Sequence, residues 1–292
     1  MLGEGLALLA AFCWALGANM YKVSLRRADP IGLNFVRSIP AAILLFLIAL
    51  LTGRIELMES VSGELLLWVF AASAVAWVAG DSLYLTGLKL MGVSRTVPLS
   101  YSYPLFLIPL SLWLLGEQPT LRILIGSLAI VASIWLVSRS LGSSSGNSCG
   151  FRSIGVVSAI LAAILWAIGV AAFKQLMFFI DPVLLAFLRL LLIIPVLGLV
   201  SLLIPQIRGT FRKLSRRELI LALAGGTCAL GIGDLIYLIG LDLTQANVAG
   251  ALAATTPIFS SVIAIGLLKE RVTWEIVCGI ALVTFGAILL SL

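Results

Sequence analysis

The sequence predicts an all-α integral membrane protein: ten transmembrane helices arranged as two inverted five-helix repeats. Three observations carry that prediction. Of 292 residues, 61% are hydrophobic and only 11% charged, whereas a soluble domain carries roughly 25% charged residues. The chain therefore lacks the polar surface to face water, and its mean hydropathy is +1.18. The apolar residues run in unbroken stretches of about the 17–25 residues a spanning helix needs, without the alternation of barrel strands. Finally, the second half of the chain repeats the first.

With an offset of 152, Trp14 meets Trp166, Lys22 meets Lys174, Asp29-Pro30 meets Asp181-Pro182 and Arg37 meets Arg189. With one residue more, an offset of 153, Gly80-Asp81-x-x-Tyr84-x-x-Gly87-Leu88 coincides with Gly233-Asp234-x-x-Tyr237-x-x-Gly240-Leu241. Pro104 then meets Pro257, Phe106 meets Phe259, Glu117 meets Glu270 and Gly126 meets Gly279. Five spans per repeat is an odd number, so the second half enters the membrane from the side opposite to the first. Such pairs are related by a pseudo-two-fold axis in the membrane plane, and in secondary transporters they hold substrate near the midplane.

Taken in order, the expected spans lie at 4–22, 31–51, 65–88, 96–115, 121–138, 153–173, 182–204, 218–241, 246–268 and 272–292. The first has no basic start and no cleavage site after it, so it reads as a span and not as a signal peptide. Most connections are short. The exceptions are Thr52–Glu64, the basic loop Pro205–Arg217, and Arg139–Arg152, whose Gly/Ser composition is that of a flexible linker. The expected division is a first repeat at 1–140, a linker at 141–152 and a second repeat at 153–292.

The acids of the duplicated block, Asp81 and Asp234, fall where a bilayer would hold them, at a cost of about 2.5–3.5 kcal/mol each. They are candidates for substrate contact or for carrying a coupling proton; the alternative is a structural ion pair with Arg37 and Arg189, which also lie inside the membrane. Those arginines are in turn candidates to clamp a carboxylate or phosphate bidentately. Tyr84 and Tyr237, three residues after the acids, share their helical face. Trp77, four before Asp81, extends that face in the first half only, because Leu230 takes its place in the second. Trp14 and Trp166 sit mid-helix, away from the interfacial belt where tryptophan concentrates. The fourth segment carries Pro98, Ser100-Tyr101-Ser102-Tyr103-Pro104 and Pro109, and its mate carries Thr255-Thr256-Pro257. Proline frees a carbonyl one turn back, tolerated where it lines a cavity or is bonded by hydroxyls; these read as kinked helices with Tyr101 facing the cavity. Glu117, Glu270, Lys22 and Lys174 at helix ends are expected to be structural, and Gly225-Gly226, Gly231 and Gly233 to serve close helix packing.

The five-plus-five duplication, the Trp14/Trp166 helices and the Lys-to-Asp-Pro-to-Arg spacing resemble the drug/metabolite transporter superfamily, EamA type. So do the Leu114-Leu115-Gly116-Glu117 and Leu267-Leu268-Lys269-Glu270 helix ends. The resemblance covers nearly the whole chain. It implies secondary export or exchange of small metabolites, such as amino acids or other polar or amphipathic compounds, across a cell membrane without ATP hydrolysis. Its motifs are nearly silent on substrate. The rival readings are a non-transporting scaffold or sensor with a carrier fold, and a lipid-precursor flippase.

The chain has no histidine, and no Walker, H-E-x-x-H or G-x-S-x-G motif, so neither an enzyme nor a cofactor is expected. Its four cysteines have no C-x-x-C spacing; Cys13, Cys228 and Cys278 lie in apolar segments and Cys149 in the expected linker. No disulfide framework or metal cluster is expected. The expected partners are a small-molecule metabolite and membrane lipids, with no nucleic acid, in a monomer or homodimer. Of 19 Lys and Arg, Arg37 and Arg189 lie within the membrane and only Arg54, Arg122 and Lys174 on the side of the termini. The other fourteen share the opposite side. The positive-inside rule puts that side in the cytoplasm, whereas the resemblance implies cytoplasmic termini.

Overall fold

The structure, a computed structural model, describes residues 1–118, 120–140, 149–268 and 274–291. Every regular element among them is helical. Apart from the short helical turns Arg54–Ser60, Pro205–Arg208 and Thr210–Lys213, these are in order α1 (Leu2–Ser24), α2 (Pro30–Leu51), α3 (Gly63–Met91), α4 (Val93–Ser100), α5 (Pro104–Leu115) and α6 (Leu121–Ser140). Then come α7 (Cys149–Leu176), α8 (Pro182–Leu203), α9 (Arg216–Leu243), α10 (Ala246–Ala253), α11 (Thr256–Leu268) and α12 (Trp274–Ser291). Among the described residues, seven helices are long and apolar enough to cross a membrane: α1, α2, α3, the stretch Arg95–Leu115, Ser153–Leu176 within α7, α8 and α9. Shorter apolar runs occupy Leu121–Ser133 and Val277–Gly286. Large apolar side chains face outward, among them Trp113 (80% exposed) and Leu203 (70%). Such a surface suits lipid and is an aggregation hazard in water.

Three features differ from the expected spans. The segment 246–268 is two helices, α10 and α11, because the chain breaks at Ala254–Thr255 ahead of Pro257. Helix α7 begins at Cys149, inside the stretch read as linker; the rest of that linker, 141–148, lies outside the described residues, as do Lys269, Glu270 and Arg271. The first half breaks in the matching place, at Tyr101–Tyr103 ahead of Pro104. The hydroxyls of Ser102 and Thr256 donate back to Leu99 O (2.6 Å) and Ala253 O (2.7 Å) at the two breaks, the re-satisfaction that such breaks need away from water.

Helix starts follow the local sequence. Asp29 caps α2 by accepting from the Ile31 amide at 3.0 Å, and Asp181 caps α8 by accepting from Val183 at 2.9 Å. In both, proline fills the first helical position, whose N–H needs no partner. Ser215 and Glu218 form a reciprocal capping box at the start of α9.

In lipid there is little hydrophobic drive between helices, so close backbone approach at small residues must hold the bundle together. Helix α1 buries Gly3, Ala7, Ala10, Ala11, Gly17 and Ala18 and packs along α9, while α7 packs along α3. Thus the first helix of each half lies against the third helix of the other. A Cβ on Gly3 would meet Gly240 O at 2.9 Å, and one on Gly240 would meet Gly3 O at 2.8 Å. The paired glycines of α9 serve the packing expected of them: Gly225 lies against Tyr21, Gly226 against the Arg37 backbone and Gly233 against Trp14. Helix α2 packs on α8, and α6 on α12.

The two halves are also tied at the membrane end that carries the amino terminus. Gly116, at φ +65°, ends α5 in the left-handed conformation. Glu117 follows, and its carboxylate accepts from the Ala246 and Asn247 amides of α10 at 2.6 and 3.2 Å. Within the second half, Lys174 donates to Leu241 O at 2.7 Å and Asp242 O at 3.1 Å, at the end of α9. An acid at a helix start and a base at a helix end both suit the helix dipole.

Candidate functional site

Each third helix contains a wide turn that no sequence period announces. Residues Ala74–Gly80 in α3 and Thr227–Gly233 in α9 are π-helical, and each turn ends immediately before Asp81 or Asp234. Single π-turns inside α-helices recur at functional sites because they free carbonyls and re-aim the following side chains. Here the carbonyls at matching positions both receive a donor from a neighbouring helix. Asn34 Nδ2 donates to Trp77 O at 2.8 Å, and Arg189 Nη2 donates to Leu230 O at 3.4 Å.

Asp81 and Asp234 are 5% and 3% exposed, and each is paired with the arginine of its own half. Arg37 Nη2 donates to Asp81 Oδ2, and Arg189 Nη2 to Asp234 Oδ2 at 2.8 Å. Each carboxylate is also held from the opposite half. Trp166 Nε1 donates to Asp81 Oδ1 at 2.8 Å, and Trp14 Nε1 to Asp234 Oδ1 at 2.6 Å. Burying two ion pairs is tolerable only when other hydrogen bonds satisfy the remaining polar atoms. These indoles supply part of that.

The pairs surround an internal cavity with about 680 Å³ of empty space, its opening included. Eight of the expected site residues line it: Asp81, Asp234, Arg37, Trp14, Trp166, Tyr84, Tyr237 and Tyr101. The ninth, Arg189, is absent from that lining; it bonds Asp234 and lies over the Trp77 ring, its Cζ 4.4 Å from the centroid. Tyr101 stands between the two crossing tryptophans, 6.4 Å from Trp14 and 5.6 Å from Trp166 by ring centroids. Each tryptophan also packs on the tyrosine that follows its own aspartate partner, Trp14 on Tyr237 and Trp166 on Tyr84, both at 5.0 Å.

Four further residues complete the site. Trp77 does line the cavity, but its Nε1 donates to Asp234 Oδ2 of the other half, at 3.2 Å, and not to Asp81 on its own helix. Asn34 accepts from Arg37 Nε at 3.1 Å and Nη2 at 2.9 Å, fixing the guanidinium. Tyr21 lies under Arg37, 4.7 Å from Cζ to ring centroid, and Tyr103 joins the wall. The hydroxyls of Tyr21, Tyr103 and Tyr237 are buried and make no hydrogen bond of ordinary geometry. Tyr21 lies seven residues after Trp14 and Asn34 three before Arg37, spacings that share a helical face. That was the available signal. Among the described residues no group of three or more Cys, Asp or Glu is placed to hold a metal ion, and Cys13, Cys228 and Cys278 are free thiols.

Long apolar helices that enclose a small cavity lined by buried charges and aromatic rings define a multi-pass membrane protein with an internal polar site. The chain belongs to the EamA-like transporter family, whose model matches residues 1–139 and again 153–292. It is similar to an uncharacterized transporter of Archaeoglobus fulgidus, 24% identical over 290 residues that cover 98% of this chain and 97% of that protein. A crystal structure of a protein matches with a TM-score of 0.79 at 17% identity, covering 98% of this chain and 95% of that one. The protein is thus a membrane transporter, and at that identity the solved structure speaks for the fold alone.

Proposed function

We propose that the chain is a secondary active carrier, built as ten membrane helices in two inverted five-helix repeats, 1–140 and 153–292. It exports or exchanges a small polar or amphipathic metabolite across the cell membrane through the cavity between the repeats. The observation that carries this reading is the reciprocal crossing of tryptophan and aspartate, Trp14 to Asp234 and Trp166 to Asp81. Each half completes the charged site of the other at the cavity wall, so a rocking of one half against the other must alter both pairs at once. Two breaks in corresponding helices, at Tyr101–Tyr103 and Ala254–Thr255, support the same reading, since discontinuous helices flank the midplane sites of inverted-repeat carriers.

The cavity sets the substrate's character. Half of the lining residues are aromatic, and Asp81, Asp234 and Arg37 add charges of both signs. A compact molecule with an apolar body and at least one charged or hydrogen-bonding group fits this lining. Coupling to protons through Asp81 or Asp234 completes the proposal.

The experiment is a thermal-shift screen of purified protein against amino acids, sugars, nucleotides, polyamines and lipid precursors, followed by counterflow exchange of each hit in proteoliposomes. A ligand of the folded state raises the melting temperature by mass action. A hit that exchanges in wild-type vesicles and not in Arg37→Gln vesicles is the expected result. Exchange that no hit shows in wild-type vesicles overturns the carrier reading.

A further inference from the structure

The two buried ion pairs are equivalent in sequence position and unequal in their surroundings. We propose that they divide the labour: Asp81 is the carboxylate that parts from its arginine to meet substrate or a coupling proton, while Asp234 remains paired as a fixed pillar. This deepens the carrier reading and rests on it.

Three independent observations point the same way. The first is the count of donors. Asp234 accepts from Trp14, Trp77 and Arg189, whereas Asp81 accepts from Trp166 and Arg37. The missing third donor of Asp81 is the counterpart of Trp77, and the chain has Leu230 there. A carboxylate has about four accepting sites, so Asp81 retains more unused capacity for an incoming ammonium or hydroxyl.

The second is where each arginine stays if its acid departs. Arg37 keeps two good bonds to Asn34 Oδ1, at 3.1 and 2.9 Å. Arg189 keeps the Trp77 ring and, for hydrogen bonds, two backbone carbonyls at 3.3 and 3.4 Å, Ala186 O and Leu230 O. The residue matching Asn34 is Ala186, which has no side-chain acceptor. Releasing Asp81 therefore leaves Arg37 held by a side-chain acceptor, whereas releasing Asp234 leaves Arg189 with none.

The third is access. Arg37 is on the cavity wall, and Arg189 is stacked against Trp77. The groups that interact electrostatically with Asp81 include Arg37 and Tyr21 from α2 and α1, Arg189 and Asp234 from α8 and α9, and Tyr84 on its own helix. Tyr101, at the break after α4, completes that set. Only Arg37 among them holds Asp81 by an ion pair in this structure.

The test needs no knowledge of the substrate. Dicyclohexylcarbodiimide is apolar and reacts only with the acid form of a carboxyl. The O–H adds across one C=N bond, with the proton passing to nitrogen and no leaving group, and the adduct rearranges to a stable N-acylurea. Purified full-length protein is treated, digested and mapped by mass spectrometry. The expected result is about tenfold more label on Asp81 than on Asp234, the ratio one additional hydrogen bond to a charged group produces. Trp77→Leu should raise labelling of Asp234 by a similar factor and leave Asp81 unchanged, and Asn34→Ala should lower labelling of Asp81. Equal labelling, a preference for Asp234, or no label on either acid overturns the division of labour. Each of those outcomes leaves the carrier reading standing, because that reading fails separately, through absence of counterflow in wild-type vesicles.

Discussion

Trp14 of the first half donates its indole N–H to Asp234 of the second at 2.6 Å, and Trp166 returns the bond to Asp81 at 2.8 Å. The two contacts bridge 220 and 85 residues of sequence, so they tie the halves together where the buried charges lie.

Replacing either indole by a ring without a donor should therefore cost stability. Trp14→Phe and Trp166→Phe are each expected to lose about 1.5–3 kcal/mol, the usual worth of a hydrogen bond to a charged group. Thermal melts in detergent measure this. In an Asp234→Asn background the Trp14→Phe change should cost clearly less; an undiminished cost would show that the ring acts by packing alone.

Arg189 is 1% exposed, and a guanidinium keeps its charge in proteins. Removing its partner with Asp234→Leu leaves that charge buried and unpaired, at a cost of about 3–5 kcal/mol. Changing both residues to leucine should recover most of the loss. A double variant as unstable as the sum of the single ones would refute the pairing as the source of the effect.

Glu117 caps α10 from the other half. Glu117→Ala is expected to cost about 1 kcal/mol as a lost cap and to loosen that end of the bundle. Asn247, fully buried behind the cap, reports the loosening. In the Asn247→Cys protein, a maleimide should react faster once Glu117 is removed. An unchanged rate would mean that the cap holds no closure at that end.

Gly226 lies against the carbonyl of Arg37, in the space a Cβ would need. Gly226→Ala must push α9 off α2 and should abolish the monodisperse peak in size-exclusion chromatography. Gly63, with nothing within 4 Å of a new Cβ, is the matched control, expected to change stability by no more than about 0.5 kcal/mol.

The core of the site could be read from sequence because burial makes charge conspicuous. An acid or an arginine within an apolar run is costly enough to demand a partner, and Asp81, Asp234, Arg37 and Arg189 found theirs within their own halves. The mid-helix tryptophans stood out for a different reason, their distance from the interfacial belt where tryptophan concentrates. Tyr21 and Asn34 carry no such penalty when neutral, so only their helical spacing from Trp14 and Arg37 set them apart from packing residues. The break at Ala254–Thr255 was legible as a kink from Pro257, but not as the end of one helix and the start of another.

Trp77 shows why periodicity fell short. Counting four residues back from Asp81 places it on the face of that acid, provided the helix is regular. The turn Ala74–Gly80 is π-helical, and a wider turn rotates everything before it relative to everything after. Trp77 reaches the cavity at a different angle and bonds Asp234 instead. The same turn in α9 was hidden likewise, since nothing in Thr227–Gly233 distinguishes it from ordinary small-residue helix.

The crossing of Trp14 and Trp166 also constrains how the halves can diverge. A substitution at Trp166 is felt at Asp81, on a helix from the other copy, and one at Trp14 is felt at Asp234. Neither copy can therefore drift at these positions without a compensating change in its sibling. Co-inheritance on a single polypeptide makes such paired changes easier to keep together. Differences lodged on one side only, such as Trp77 opposite Leu230, are then the places where the two halves can take up separate duties.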